Sequence, residues 1–474
     1  MKALLLIVKT FLIIVLLLLL IAGLSIPYAL YKKTDSPVSG ITARSALIYN
    51  AQIIGPDNRI LPYTSISIED GIITGLSQQP VEVLSKHKDF DLTIDVHKKY
   101  LMPGLIDMHT HVIDHSDLLL SLAHGVTHLR VMHGLELQLK LKKAIKTGQL
   151  IGPDLILASP ALNQKSSFAH SDFQHFVETE QEAREAVRRY KDMGFDLIKL
   201  YDGLQPDIFK AIVSEAQKHN MPFAGHPPFK VNARDFLASQ PQTLEHVEML
   251  YQTYLDYSRE PQALQQLIQD LKTHATYVST TLVVYDELVQ AAEQQQHYLT
   301  TKQLEYIPPI IKLINQENID SIMLHANVEK WRSKADDLGV ITKALFDADI
   351  PMVLASDAGA NYTLHGIGMI EEMQLLEHYG VSPQKIIDSA TLIPAQALSV
   401  SDAGRIMPGK KASLLMLEND PRQDLSTFYN LQGLFKNNTY FNAQDISEMK
   451  SQAKLHMGYY ELLGWLIIDR WTRR

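Results

Sequence analysis

Short apolar runs alternate with amphipathic stretches from about residue 101 to residue 400. Segments such as 181–193, 206–219 and 368–379 carry apolar residues at helical spacing. Eight apolar runs of strand length lie between or before such segments: 105–109, 127–132, 154–158, 197–201, 222–226, 242–246, 277–282 and 352–357. Eight repeated βα units predict an α/β fold, a (β/α)8 TIM barrel. A doubly wound open sheet is the alternative, but no glycine fingerprint for a dinucleotide follows the first strand.

Strand-length segments with alternating or continuous apolar residues also lie on both sides of this region. Residues 45–54, 65–74 and 92–96 are of this kind, with Asp70-Gly71 as a hairpin turn. A turn followed by a buried strand recurs at residues 404–417. We therefore predict one small flanking β-sandwich, built from N- and C-terminal segments. The predicted domains are a sandwich part at 45–100, a barrel at 101–400, a second sandwich part at 401–440 and a helical tail at 441–474.

The first 33 residues have a different pattern. Residues 10–31 contain no charged side chain and are long enough for a helix to cross a bilayer. We predict an N-terminal transmembrane helix or signal anchor over residues 1–33 and a linker over 34–44, with an extracytoplasmic folded domain, periplasmic in a bacterium. Secretion after signal cleavage is the alternative. The aromatic end of the tail, 459–471, is a candidate for the membrane interface or for packing on the barrel.

Composition narrows the possible chemistry. A chain of 474 residues with 46% hydrophobic content can bury a large core. Its net charge is −9 and no dense basic patch is present, so nucleic acid is not an expected partner. The chain has no cysteine, which excludes disulfides, thiolate zinc sites and cysteine nucleophiles. Histidine, aspartate, glutamate and lysine are left as metal ligands.

Polar side chains occupy the ends of several predicted strands. His109 and His111 are two residues apart, so both imidazoles project from one face of a strand and make half of a metal site. In a barrel, catalytic groups come from the carboxyl ends of the strands. The fourth predicted strand carries Lys199, and the fifth, sixth and eighth end at His226, His246 and Asp357. Each alone has a structural explanation, but their common placement predicts one shared site.

The ordered motifs resemble those of the amidohydrolase superfamily of metal-dependent hydrolases, in particular its imidazolonepropionase-like and prolidase-like members. The resemblance covers about residues 45–425. It rests on PGLIDMHTH at 103–111, DLIKLYDG at 196–203, AGH at 224–226, LEH at 244–246, ASDAG at 355–359, and Ala390-Thr391 with Pro394-Ala395. The return strand carries Ser413 where that family commonly has an aspartate.

The resemblance implies two divalent metal ions, zinc by default, with manganese, iron or cobalt as alternatives. One ion would be held by His109, His111 and Asp357, and the other by His226 and His246. A carboxylated Lys199 would bridge them. The implied reaction is cleavage of an amide, peptide or cyclic amide bond by a metal-bridging hydroxide, with Asp357 carrying the proton. The implied substrate is a small molecule or short peptide, and a prolidase-like dipeptidase is one form of this activity.

A group that polarises the substrate carbonyl has three candidates. They are Tyr201, His325 and His365; Tyr201 could instead be a packing aromatic, and His365 lies in the loop after the eighth strand. Weaker candidates near strand ends are His115, His133 and His170. Two other functions stay open: a mononuclear deaminase, whose usual glutamate is missing from the segment His-Pro-Pro-Phe at 226–229, and a membrane-tethered metal-binding protein without turnover.

Overall fold

The computed structural model describes residues 9–17, 20–21, 23–24, 27, 38–55, 59–85, 89–165, 173–325, 327–456 and 464. None of the helices within these ranges is both long and apolar enough to cross a bilayer. Part of the predicted anchor, the first part of the linker and nearly all of the aromatic end of the tail lie outside the described residues. The extracytoplasmic location is untested and stays a prediction.

Eight parallel strands, here numbered β1 to β8, form the centre of the molecule. They are Leu105–Thr110, Val126–Val131, Asp154–Leu157, Ile198–Leu200, Phe223–Gly225, Thr243–Leu244, Tyr277–Ser279 and Met352–Val353. Strands β1 to β3 pair in order, and β4 to β8 pair in order within a second sheet. Short strands Ala161–Asn163 and Gln174–Phe176 extend that second sheet beyond β4. The predicted α/β architecture with parallel sheets is confirmed.

Backbone contacts link the two parallel sheets at both of their ends. Ala158, which follows β3, forms a parallel bridge with Leu197, which precedes β4. On the other side, Thr110 of β1 forms a parallel bridge with Ala358, and the Met108 amide donates to the Leu354 carbonyl at 3.1 Å. The carboxyl ends of β1 and β8 therefore lie side by side.

Helices cover the parallel strands, and their first turns carry the expected capping residues. Asp114 and Thr179 each form a capping box, and Pro206 and Pro261 occupy first helical positions, where a missing amide hydrogen has no cost. From residue 38 to residue 456 the described α-helices are Val81–Ser85, His115–Ala123, Glu136–Lys146, Glu180–Met193, Pro206–Lys218, Ala233–Ala238, Val247–Thr253, Pro261–His274, Leu282–Gln294, Gln296–Thr301, Pro309–His325, Val328–Asp347, Ile367–His378, Pro383–Ala390, Leu392–Ala397 and Ala443–Ala453. Described 3-10 helices span Leu304–Tyr306 and Leu425–Asn430. Helix Ala443–Ala453, from the predicted tail, packs on His115–Ala123 and buries Ile446 and Met449.

The N- and C-terminal segments join in one flanking sheet of nine strands. They are Ile41–Thr42, Ser45–Ile54, Ile60–Glu69, Ile72–Ser77, Leu92–Asp95, Tyr100–Pro103, Leu414–Leu417, Gly433–Lys436 and Thr439–Asn442. The hairpin at Asp70-Gly71 has φ values of 45° and 76°, as a tight two-residue turn requires. Tyr100–Pro103 pairs antiparallel with Leu414–Leu417, so the two halves of the predicted sandwich unit meet along these strands.

Strand Leu414–Leu417 belongs to two hydrophobic cores at once. Leu414 and Met416 lie in the core of the flanking sheet, whereas Leu415 and Leu417 lie in the main core with the parallel strands. Successive side chains of a strand point to opposite faces, so this alternation follows from the period of two. The strand therefore connects the flanking sheet to the centre of the molecule.

Replacing Leu415 by alanine tests this connection. Leu415 is fully buried, and its removal leaves a cavity in the main core. We expect the free energy of unfolding to fall by about 2–5 kcal/mol, measured by urea denaturation. Leu455 is 57% exposed, and Leu455→Ala should change stability by less than about 0.5 kcal/mol. Equal effects of the two substitutions would contradict the assigned role of this strand.

Candidate metal centre

A cavity of about 440 Å³ lies at the carboxyl ends of the parallel strands. All six of the predicted metal ligands line it: His109, His111, Lys199, His226, His246 and Asp357. The surrounding wall is largely apolar and includes Ile113, Met132, Phe173, Val284 and Ile311. The cavity therefore combines a polar floor of ionisable groups with walls suited to an apolar ligand.

His109, His111 and Asp357 form the tightest group. One ligand atom from each lies within 4.8 Å of the others. His111 Nε2 is 2.8 Å from Asp357 Oδ1, and His109 Nε2 is 3.6 Å from the same oxygen. Burial raises the pKa of Asp357, but the neighbouring imidazoles outweigh this and hold the pKa well below its usual range. An ionised carboxylate beside two imidazoles is a donor set suited to a divalent cation.

His226, His246 and Lys199 lie directly beside this group. The rings of His109 and His246 are 4.5 Å apart between centroids, and those of His246 and His226 are 5.0 Å apart. Lys199 is 2% exposed, its Nζ has no hydrogen-bond partner among the described residues, and burial lowers its pKa to about 8. His226 Nδ1 is 3.9 Å from Asp202 Oδ2, beyond hydrogen-bond length. Buried polar atoms without partners indicate that the site accommodates a further group.

The backbone is strained at two of these positions. His246 has a φ of 67° and Asp357 a φ of 55°, in the left-handed region that side chains rarely adopt. Such conformations cost about 1–3 kcal/mol and persist where the surroundings enforce them. Strands β6 and β8 end at Leu244 and Val353, before the ends of the predicted apolar runs. His246 and Asp357 follow these strands, and both side chains line the cavity.

A buried ion pair beneath His109 was not predicted. Arg130 and Glu245 are both fully buried, and Arg130 Nη2 donates to Glu245 Oε1 at 2.7 Å. Glu245 Oε2 lies 2.8 Å from His109 Nδ1. Burial raises the pKa of Glu245, but the charge of Arg130 outweighs it and holds the pKa well below its usual range. The sequence shows only that each residue lies inside a predicted strand, Arg130 in 127–132 and Glu245 in 242–246.

The candidate carbonyl-polarising residues are placed differently from one another. Tyr201 lines the cavity and stacks on His226 with ring centroids 4.6 Å apart. It follows Lys199 by two residues and so shares its strand face. Burial raises the pKa of Tyr201 to about 12, so its hydroxyl keeps its proton. His365 is buried outside the cavity, 3.4 Å from Asp117, and His325 is exposed at the end of its helix.

Of the weaker histidine candidates, His133 lines the cavity and His115 does not. His133 lines the cavity, and its Nδ1 is 2.7 Å from His111 Nδ1, so one ring donates to the other. His115 instead contacts the Ile151 carbonyl at 3.2 Å, and the cavity lining does not include it. His170 lies outside the described residues.

Comparisons with known proteins found a matching family profile and structures of similar fold. Residues 100–458 match the sequence profile of the Amidohydrolase family. A bottromycin amidohydrolase structure has 19% identity and a TM-score of 0.71, covering 92% of this chain and 93% of its own. A Xaa-Pro dipeptidase with bound methionine has 19% identity and a TM-score of 0.64, covering 84% and 100%. The A. niger ochratoxinase has 18% identity and a TM-score of 0.64, covering 85% and 97%. At these identities the structural likeness establishes the fold alone, and the search of curated proteins returned no match.

Replacing Asp357 by asparagine tests the His-His-Asp group. The amide keeps the shape of the side chain but removes its negative charge, so zinc should bind at least ~10-fold more weakly in a chelator competition assay. Asp207→Asn, at an exposed helical position, should leave zinc affinity unchanged. Unaltered zinc affinity in Asp357→Asn would show that this carboxylate is not a ligand.

Proposed function

The chain belongs to the amidohydrolase family, and we propose that it is a binuclear metal-dependent hydrolase that cleaves a C–N bond in a small amide or short peptide. The observation that carries this proposal is the convergence on one cavity of six ionisable side chains from the ends of five parallel strands. Three of them already form a cluster of metal-ligand geometry. The parallel pairings and the two linking bridges support a closed (β/α)8 barrel as the scaffold.

The residues present fit two divalent ions, with zinc as the expected metal. His109, His111 and Asp357 would hold one ion, and His226 and His246 the other. When bound, the ions would supply Lewis acidity toward a carbonyl oxygen and a water molecule. The side chain of His246 is held for this role, because its Nδ1 contacts the Thr281 hydroxyl at 2.9 Å.

Lys199 would join the two halves of the site as a carbamate. An ammonium group buried without a partner is unfavourable, whereas a neutral amine can add to carbon dioxide and release a proton. The product carries two oxygens and a negative charge, which suit a position between cations. The burial of Lys199 and its unpartnered Nζ support this assignment.

Two further side chains have positions suited to proton transfer and binding. Asp357 is ionised and can accept a proton from water and pass it to the leaving nitrogen. Tyr201 keeps its hydroxyl proton and lines the cavity, so it can donate a hydrogen bond to a carbonyl oxygen. His325 and His365 lie outside the cavity lining and have no part in this proposal.

The cavity favours a small substrate with an apolar group. Its volume of about 440 Å³ lies in the usual range for small-ligand sites. The apolar walls above the ligands suit an aliphatic or aromatic side chain. Together with the likeness to a Xaa-Pro dipeptidase, this supports prolidase-like dipeptides or N-acyl amino acids as the first substrates to test.

Lys199→Ala tests the bridging role. We expect the variant to bind fewer than two zinc ions per chain and to lose at least ~100-fold in kcat/KM on a dipeptide or N-acyl amino acid substrate. Metal analysis and a hydrolysis assay measure the two effects. Lys210→Ala, at an exposed helical position, serves as the control. A Lys199→Ala protein with two zinc ions and full activity would rule out the bridging carbamate.

Ile113→Ala tests the apolar wall. Shortening this side chain should lower kcat/KM by about 10–200-fold for substrates with a large apolar group. Glycine-containing substrates should be affected little, since they leave that wall unoccupied, and zinc content should not change. Equal losses on both kinds of substrate would contradict the proposed contact.

A further inference from the structure

We infer that Arg130 and Glu245 are a positioning pair that fixes the proton of His109 on Nδ1 and leaves Nε2 free to bind a metal ion. The inference rests on the proposed function, because it concerns how one proposed ligand is held. Neither residue lines the cavity, so both act through His109.

The carboxylate of Glu245 is surrounded by groups that can donate hydrogen bonds to it. Oε1 accepts from Arg130 Nη2 at 2.7 Å and from the Thr243 hydroxyl. Oε2 accepts from the Ser279 hydroxyl at 3.1 Å and contacts His109 Nδ1 at 2.8 Å. A carboxylate paired with a guanidinium has no proton to give, so His109 must be the donor in the last contact. The proton therefore lies on Nδ1, and Nε2 faces Asp357 at 3.6 Å.

Arg130 forms hydrogen bonds on both sides of the contact between Glu245 and His109. Its Nη1 donates to the Thr243 hydroxyl at 2.6 Å, beside the glutamate. Its Nε donates to the Met108 carbonyl at 2.6 Å, next to His109 in β1. One guanidinium thus links the strand that carries the histidine to the strand that carries its acceptor.

The Nδ1 atoms of His109 and His246 contact different kinds of partner. The Nδ1 atom of His246 contacts only the neutral Thr281 hydroxyl among the described residues, whereas His109 donates to a charged carboxylate. A charged acceptor raises the basicity of an imidazole more strongly, and outer partners of this kind typically change metal affinity by 10–100-fold. Loss of Glu245 should therefore weaken the ion held by His109 more than the ion held by His226 and His246.

Glu215 offers a matched control. It is also a buried glutamate that accepts from an arginine, Arg188, at 2.8 Å and contacts a histidine, His219, at 3.0 Å. It lies on an outer helix, away from the cavity. Glu215→Gln therefore removes a carboxylate charge that also pairs with an arginine and a histidine, without touching a proposed ligand.

The experiment compares the full chain, Glu245→Gln, Arg130→Met and Glu215→Gln. Long-range ¹H–¹⁵N spectra of ¹⁵N-histidine-labelled protein report which ring nitrogen of His109 carries the proton, with the signal assigned by its loss in His109→Gln. Chelator competition measures the affinity of each of the two zinc ions. We expect Nδ1 to be protonated in the unaltered chain and in Glu215→Gln. In Glu245→Gln and Arg130→Met, one zinc ion should bind about 10–100-fold more weakly.

Two results would overturn the inference: an unprotonated His109 Nδ1 in the unaltered chain, or zinc affinities in Glu245→Gln equal to those in Glu215→Gln. The first measurement needs no variant of the pair, so it decides the question even if Glu245→Gln does not fold. A chain that shows the expected proton and zinc differences but hydrolyses no amide would refute the proposed function and still support the positioning role.

Discussion

The pairing of two fully buried charges constrains the centre of this molecule. A guanidinium and a carboxylate removed from water are tolerated only when each is paired and hydrogen-bonded. Arg130 on β2 meets this requirement through Glu245, which follows β6, and through the β1 backbone at Met108. Glu245 in turn contacts the first of the proposed ligands, His109. The arrangement of these strands and the orientation of that imidazole are therefore parts of one hydrogen-bond network.

Strands β4 to β8 are only two or three residues long, and the site is built at the carboxyl ends of the parallel strands. Because parallel strands present their carboxyl ends at one edge, ligands that are distant in sequence meet around one cavity. His246 and Asp357 follow β6 and β8 with positive φ values, and both side chains line the cavity. Gly359 has a φ of 96°, and a Cβ there would come within 2.5 Å of the His111 carbonyl oxygen, so glycine is required beside the site. Backbone strain and close packing thus hold the donors in place.

Sequence patterns could predict the eight parallel strands, because apolar period and length report burial directly. They could also identify the six candidate ligands, since each lies within such a run or at its end. They could not identify Arg130 and Glu245 as partners, because 115 residues separate them and nothing local marks the pair. Nor could they place His365: it lies in the loop after β8, but it turns toward Asp117 rather than into the cavity. Long-range pairing and loop direction depend on tertiary contacts.

The proposed function requires two metal ions in one site built on this network. Anomalous diffraction at the zinc edge, from crystals of the zinc-loaded chain, tests it most directly. We predict two peaks about 3.5–4 Å apart, one beside His109, His111 and Asp357 and one beside His226 and His246. A single peak, or zinc bound away from these side chains, would contradict the account.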